Sequence, residues 1–312
     1  PSEYRVTWFP GSQMIWPTRR IYTNQRYGWN EWRTQMPDTG HSAFAAYLPR
    51  EAQDFLLNHE DVPLQLVTNY SDIPWELFHD GVDFLSLRHA MARKPQMFDT
   101  PVVHPRFPEG SKYALVVGNP TGDLPEAERE ANEVAALFKK HGWDVETLIG
   151  DEATVNAFAL KLRNKPYRLI HFAGHARYDV DVPLKSSLKF KDYSWLAEEF
   201  ERQLSSQAFL YLNACETAQT YTDSSLRNPH GEFMEGVAIS TLKGGAMGCL
   251  GPLWAIRDDL ARGFALEFYK HALSGETLGE SVRLARLAFR KKSPDFWAGW
   301  VLYGDPTYHL YK

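Results

Sequence analysis

Two residues of this chain have the types that nucleophilic catalysis needs, each where a backbone would be leaving a strand. Cys215 ends the apolar run "AFLYLNAC" and His175 ends "RLIHFAGH". A free thiol has a pKa of about 8.5, so it stays mostly protonated at neutral pH unless a base or a cation stands beside it. An imidazole titrates near neutrality and can be that base, then hand the proton to a leaving group. If the two runs are neighbouring strands, both side chains emerge at one edge. The amides of Ala176 and of Cys215 are then placed to donate to a carbonyl oxygen as it becomes an oxyanion. Gly174, just before the histidine, permits a tight exit and close backbone approach.

A buried cysteine is also an ordinary small core residue, and Cys249 inside "AMGCLG" is read that way. On composition alone Cys215 admits both readings. His171 shares strand parity with His175, and the HxxxH spacing raises a metal pair. Such pairs usually sit on a helix and no companion Cys or Asp cluster is near, so His171 reads as a packed strand residue and no metal or organic cofactor is expected.

The elements that must position these residues follow from periodicity. "YALVVGN" (113–119) is a near-continuous apolar run, as in a strand buried on both faces of a parallel sheet. "LPEAEREANEVAALFKKHG" follows with Ala131, Val134, Ala135 and Phe138 at helical spacing, acids early, lysines late and Gly142 as a stop. Strands "WDVETLI", "YRLIHFAG", "AFLYLNA", "GGAMGCLGPLW" and "WAGWVLYG" alternate with helices "TVNAFALKLRN", "GEFMEGVAISTLKG", "RDDLARGFALEFYKHALSG" and "TLGESVRLARLAFRKK". That alternation predicts an α/β fold, a doubly wound sheet with helices on both faces, whose active groups gather past the carboxyl ends of the strands. Upstream, "VPLQLVTNY" (62–70) reads as a strand and "DIPWELF" (72–78) as a helix entry. Residues 1 to about 60, rich in Trp, Tyr, Arg and Pro, read as short strands. The prolines of 95–111 read as a linker, so the predicted division is 1–110, an amino-terminal region, and 111–312, the catalytic domain.

Composition narrows the function. With 312 residues and a net charge of -5, the chain has no global basic field, which disfavours nucleic acid. Arg283, Arg286, Arg290, Lys291 and Lys292 read most simply as the cationic end of a helix. The apolar stretches fall short of the roughly 20 residues that a membrane-spanning helix needs, and no signal segment opens the chain. Two cysteines make no disulfide framework, so a cytoplasmic setting is expected. A start at Pro1 reads as that of a fragment of something longer.

Taken together and in order, "LPEAEREANEVAALF", "LIHFAGHA", "LYLNACET", "GGAMGCLGPLWAIRDDLARGFALEFYKHAL", "LGESVRLARLAF" and "WAGWVLYGDP" resemble the CHAT family of clan CD cysteine peptidases, relatives of caspases and separases. The resemblance runs from roughly residue 62 to 310, and "SDIPWELF" resembles the family's amino-terminal pseudo-repeat. It implies a caspase-like, mostly parallel sheet preceded by a smaller pseudo-caspase-like or mixed region. It also implies a dyad of His175 and Cys215, with Cys215 as the nucleophile of a cysteine endopeptidase. Where the family usually has Gly after the histidine, this chain has Ala176, which keeps the amide donor but disfavours positive φ.

In separase-like relatives an acid shortly after an "LW" strand end selects a basic side chain before the cut. Here Asp258 matches that place best, with Asp259 beside it; as acids opening a helix, both also suit the macrodipole without any substrate. Asp179, Glu216 and Asp223 are rivals in flanking loops, and Trp254 either walls the cleft or is a buried aromatic. The loops "RYDVDVPLKSSLKFKDYSW" and "QTYTDSSLRNPHGEF" are expected to shape the cleft. The implied partners are a protein substrate and a regulatory domain or activating protein, in bacterial signalling or antiphage defence. The competing reading is a catalytically silent caspase-like scaffold that docks a partner. A cysteine hydrolase or acyltransferase on another α/β fold is disfavoured, since no third acid follows in a recognisable order.

Overall fold

A computed structural model describes residues 29–60, 62–68, 75–95, 111–177, 179, 182, 185–204, 207–215, 229–253, 256–292 and 296–311. It opens with α1 (Trp29–Tyr47), α2 (Arg50–Asn58), β1 (Leu64–Val67), a 3-10 turn at Trp75–Leu77, α3 (Leu85–Arg88) and β2 (Met91–Lys94). Then follow β3 (Tyr113–Gly118), α4 (Pro125–Lys140), β4 (Asp144–Ile149), α5 (Val155–Asn164) and β5 (Leu169–Arg177). A hairpin of β6 (Ser187–Lys189) and β7 (Ser194–Leu196) leads to α6 (Ala197–Gln203) and β8 (Phe209–Cys215). The last elements are α7 (Pro229–Lys243), β9 (Gly248–Pro252), α8 (Asp258–Leu273), α9 (Leu278–Arg290) and β10 (Trp300–Gly304).

One sheet runs through the molecule in the order β1-β2-β10-β9-β8-β5-β3-β4. β9, β8, β5, β3 and β4 pair in parallel, as do β1, β2 and β10, while β10 meets β9 antiparallel. The mostly parallel sheet is thus two parallel blocks that run in opposite directions. The carboxyl ends of β3, β5 and β8 therefore share one rim, and those of β1 and β2 open on the other.

Strand alternation divides the core. On one face Val116, Leu169, Phe209, Tyr211, Leu250 and Trp300 pack with α4, α8 and α9; on the other Val117, Ile170, Phe172, Leu212 and Val301 pack with α5, α6 and α7. Two-sided burial explains why these strands read as continuous apolar runs. A smaller cluster of Phe44, Tyr47, Leu56, Trp75, Phe78 and Met91 ties α1 and α2 to the segment before β2.

Three expectations need correction. Residues 29–58 are two helices and not short strands: Met36, Ala43, Phe44 and Tyr47 make a buried helical stripe, interrupted in the sequence by Pro37 and Gly40. Gly40 is required because α1 presses on the backbone of Leu77 and His79; residues 1–28 lie outside the described residues. The stretch expected to be a cleft loop contains the β6–β7 hairpin, whose Leu188 and Trp195 are buried, and leads into α6, opened by Ala197. The basic stripe of α9 is not merely a cationic helix end. Arg286 points inward and donates to the Trp300 carbonyl at 2.6 Å and to that of Ser86 at 3.4 Å, and Arg283 donates to Leu87 O at 3.1 Å. Burial lowers the Arg286 pKa to about 10, with Glu76 opposing the shift and Arg93 adding to it.

Candidate active site

β5 and β8 are hydrogen-bonded neighbours whose register sets Leu169 opposite Phe209 and, six residues on, His175 opposite Cys215. Adjacent strands lie about 4.8 Å apart, so the backbones of these two positions stand side by side on the rim. His175 is buried, with 6% of its surface exposed, and lies on the α4 and α8 side of the sheet. Gly174 is needed there: a Cβ would stand 2.9 Å from Cδ of Pro120, in the loop that leaves β3.

That loop supplies a third group. Asn119, in left-handed backbone at φ 48°, accepts the Leu124 amide on its side-chain oxygen at 2.8 Å and donates to Glu128 at 3.1 Å. Its own amide donates to Ala173 O at 2.9 Å, tying the loop to β5. The turn so formed holds Asp123 with its carboxylate 3.0 and 3.1 Å from His175 Nε2. Thr121 Oγ1 also donates to Asp123. These bonds, from Thr121 first and His175 next, hold the Asp123 carboxyl below the usual carboxylate range. The pair Asp123–His175 was not among the sequence expectations. The signal was present, since "GNPTGDLP" leaves the end of a strand on the same rim, but the acid precedes the histidine, where no third member was sought.

Asp258 opens α8 on the same side and is close enough to interact electrostatically with His175. Asp258 is exposed as a residue, yet partial burial of its carboxyl raises its pKa; His175 opposes that shift, and Glu126 and Asp259 reinforce it. Asp259 is instead paired with Arg257 at 2.8 Å. Asp179 accepts the Val182 amide at 2.9 Å and so shapes its own loop. Ala176 is buried within β5 and pairs with Leu188, so no left-handed backbone is required there. Trp254, Glu216 and Asp223 lie outside the described residues.

A search with family models matches the CHAT domain over residues 64–305, the greater part of the chain. The chain belongs to the CHAT domain family. Among solved structures, this CHAT domain superposes on the Arg-specific cysteine proteinase gingipain R at a TM-score of 0.60. Identity there is 12%, over 90% of this chain and 75% of that one. The complex of Porphyromonas gingivalis RgpB pro- and mature domains gives 0.60 and 12%, over 89% and 76%. A Saccharomyces cerevisiae separase–securin complex matches at 0.48 and 18%, over 75% of this chain and 15% of that one. A search of curated proteins returns no match. The CHAT domain therefore has a caspase-like cysteine-protease fold.

Beneath the rim of the CHAT domain lies a sealed polar layer. His171 is fully buried, as expected, but it is not an inert packing residue. Its Nδ1 is 2.9 Å from the Tyr269 hydroxyl and its Nε2 makes a bent 3.1 Å approach to Glu130, whose side chain is 1% exposed. The other Glu130 oxygen accepts from Asn213 Nδ2 at 2.6 Å. Burial and the nearby Glu130 push the Tyr211 and Tyr269 hydroxyls well above their usual pKa. Cys249 sits on the opposite face, where burial raises its thiol to about 12 despite a hydrogen bond with Thr241, and it is the packing cysteine that its context suggests. Among the described residues no group of three His, Cys, Asp or Glu could hold a metal, and no helix is long and apolar enough to cross a membrane.

Proposed function

We propose that this CHAT domain is a cysteine endopeptidase with His175 and Cys215 as its dyad. The single observation that carries the reading is the register that sets these two residues opposite each other at the rim, with Asp123 on the histidine. If Asp123 accepts the Nε2 proton, Nδ1 of the neutral ring is free to take the proton of the Cys215 thiol. The thiolate attacks a peptide carbonyl, and the amides of Cys215 and Ala176 stabilise the oxyanion. The imidazolium protonates the amine as the C–N bond breaks, leaving a thioester. Water, deprotonated by the same imidazole, then hydrolyses the thioester. Asp123 acts as a positioning residue that fixes the orientation and tautomer of the ring.

The same proposal assigns Asp258 to the pocket for the side chain before the cut and predicts Arg or Lys there. Its carboxyl feels Glu126 and Asp259, has no ion-pair partner among the described residues, and lies close enough to interact with the histidine. Protein substrates and release of the activity by a regulatory domain or activating partner, in bacterial signalling or antiphage defence, belong to this reading. The test is a peptide-library screen of the native chain against Cys215→Ala: cleavage after basic residues by the native chain alone is expected. Identical behaviour of the two proteins ends the proposal. Asp258→Asn should reduce kcat/KM for basic peptides by roughly tenfold and leave neutral ones unchanged.

A further inference from the structure

The polar layer under the rim has no place in the chemistry just described, yet it is built from the elements that carry the chemistry. Tyr269 of α8 and His171 of β5 share a 2.9 Å hydrogen bond, Glu130 of α4 accepts from Asn213 of β8 at 2.6 Å, and a 3.1 Å approach of His171 Nε2 to the other Glu130 oxygen, too bent for a hydrogen bond, brings the two pairs together. Glu130 and His171 are 1% and 0% exposed. A buried polar cluster of this kind is poor value as a stabiliser, because the desolvation of its members offsets most of what their contacts return and apolar residues of similar volume often serve as well. Buried polar networks do specify one geometry, since every member must keep its partner. Here the cluster ends on the side chain of Asn213, two positions before Cys215 on the same strand.

We propose that Glu130, packed against His171, is a positioning residue for the nucleophile strand. By accepting the Asn213 amide it fixes the exit of β8, and with it the backbone of residue 215 relative to His175. β5 and β8 are joined by backbone bonds along their length, but β9 pairs with β8 only at Phe209, Leu210 and Tyr211. Among the described residues, the end of β8 toward the rim therefore has β5 on one side and no paired β9 residue on the other. The Glu130–Asn213 bond ties that end to α4, the helix whose entry loop also presents Asp123. One helix thereby holds both the partner of the histidine and the strand of the cysteine.

The role rests on the peptidase reading, but its first test does not. Amide hydrogen exchange of Glu130→Gln is expected to rise at least about tenfold at residues 213–215, with β3 and the start of β5 unchanged. Native exchange at 213–215 overturns the proposal whether or not the chain cleaves peptides. In the active enzyme, Glu130→Gln should lower kcat about tenfold per alkylatable active site, with KM within about twofold. Asn213→Ala should do the same, and the double variant should be no worse than either single one. A merely structural role would lower the melting temperature and the number of active sites and leave kcat per site native, which also overturns it. Asn213→Ala, at the half-buried end of the bond, carries the test if Glu130→Gln does not fold. Cleavage that is the same in native and Cys215→Ala proteins would sink the peptidase reading alone and leave the exchange result to decide this one.

Discussion

At the rim, Asp123 keeps 62% of its side chain in solvent while it holds His175. On the far side of the β9–β10 seam, Glu76 and Arg93 hold each other at 2% and 1% exposure, with Arg93 Nε 2.9 Å from the carboxylate and a second guanidinium nitrogen on its other oxygen. Arg286 lies nearby, with its guanidinium on backbone carbonyls. Both regions are built from charge, and solvent decides what the charge does. The solvated carboxylate can be lost without leaving a bare ion in the core, so its removal is felt in the chemistry. In the sealed clamp, neither partner can leave without stranding the other, so its removal is felt in folding.

Substitutions at the dyad and in the clamp should separate the regions most widely. Cys215→Ala is expected to reduce kcat/KM by at least about 10⁴-fold while the thermal midpoint stays native. His175→Ala should do nearly as much, since groups that act as a unit are not additive. In the clamp, Arg93→Ala should destabilise the fold by about 3–5 kcal/mol, by leaving the buried Glu76 carboxyl without its guanidinium partner. Denaturant titration would measure that loss, while cleavage per folded molecule stays native. The apolar pair Glu76→Met with Arg93→Leu should recover most of the stability. If it did not, the clamp would be doing more than matching two buried charges.

A smaller effect sharpens the contrast from the rim side. Asp123→Asn should reduce kcat by roughly tenfold, less than for a buried orienting carboxylate, because water already competes for the histidine. Since Thr121 and His175 hold the Asp123 carboxyl below the usual carboxylate range, the deficit in the proposed cleavage should persist down through mildly acid pH. Stability linked to Asp123 is present above the unfolded carboxyl pKa and is lost only as pH falls through the lower folded value. A melting temperature that dropped in Asp123→Asn as far as in Arg93→Ala would erase the distinction between the two regions.

What could be read from the sequence tracks this division. The strand runs at 113–119, 168–175 and 208–215 were legible because burial on both faces makes them uniformly apolar. The pair 175 and 215 was legible because parallel strands bring their carboxyl ends to one rim. Asp123 escaped because its role depends on a turn held by Asn119 in left-handed backbone, which leaves no periodic trace. The clamp escaped because Glu76, Arg93 and Arg286 are 17 and 193 residues apart in steps along the chain, and inward arginines look like surface ones until a partner is known. The reversed direction of β1, β2 and β10 escaped for a related reason: strand direction is set by the connections, and the connection from β2 to β3 is proline-rich with no periodic element to orient it. Residues 29–58 were misread because aromatic composition outweighed a helical stripe broken by Pro37 and Gly40.

Between the two extremes lies Glu146, at 30% exposure on the edge strand β4, with Lys161 at 2.6 Å, Lys165 at 2.9 Å and the Tyr167 hydroxyl at 2.7 Å. Partial burial pushes its carboxyl up, but those three donors outweigh it and hold the pKa at about 2. A depressed folded value means that the unfolded chain binds a proton first. The stabilisation is therefore complete above the ordinary glutamate value and declines as pH falls from about 4.5 toward about 2. Solvent screening reduces it to about 1 kcal/mol. Glu146→Gln should accordingly lower stability at pH 7 by about 1 kcal/mol and converge with the native chain near pH 2, with no change in cleavage. A variant that stayed less stable by the same amount at pH 2 would show that this cluster acts by packing, as the clamp does, and that exposure alone does not sort the charges of this molecule.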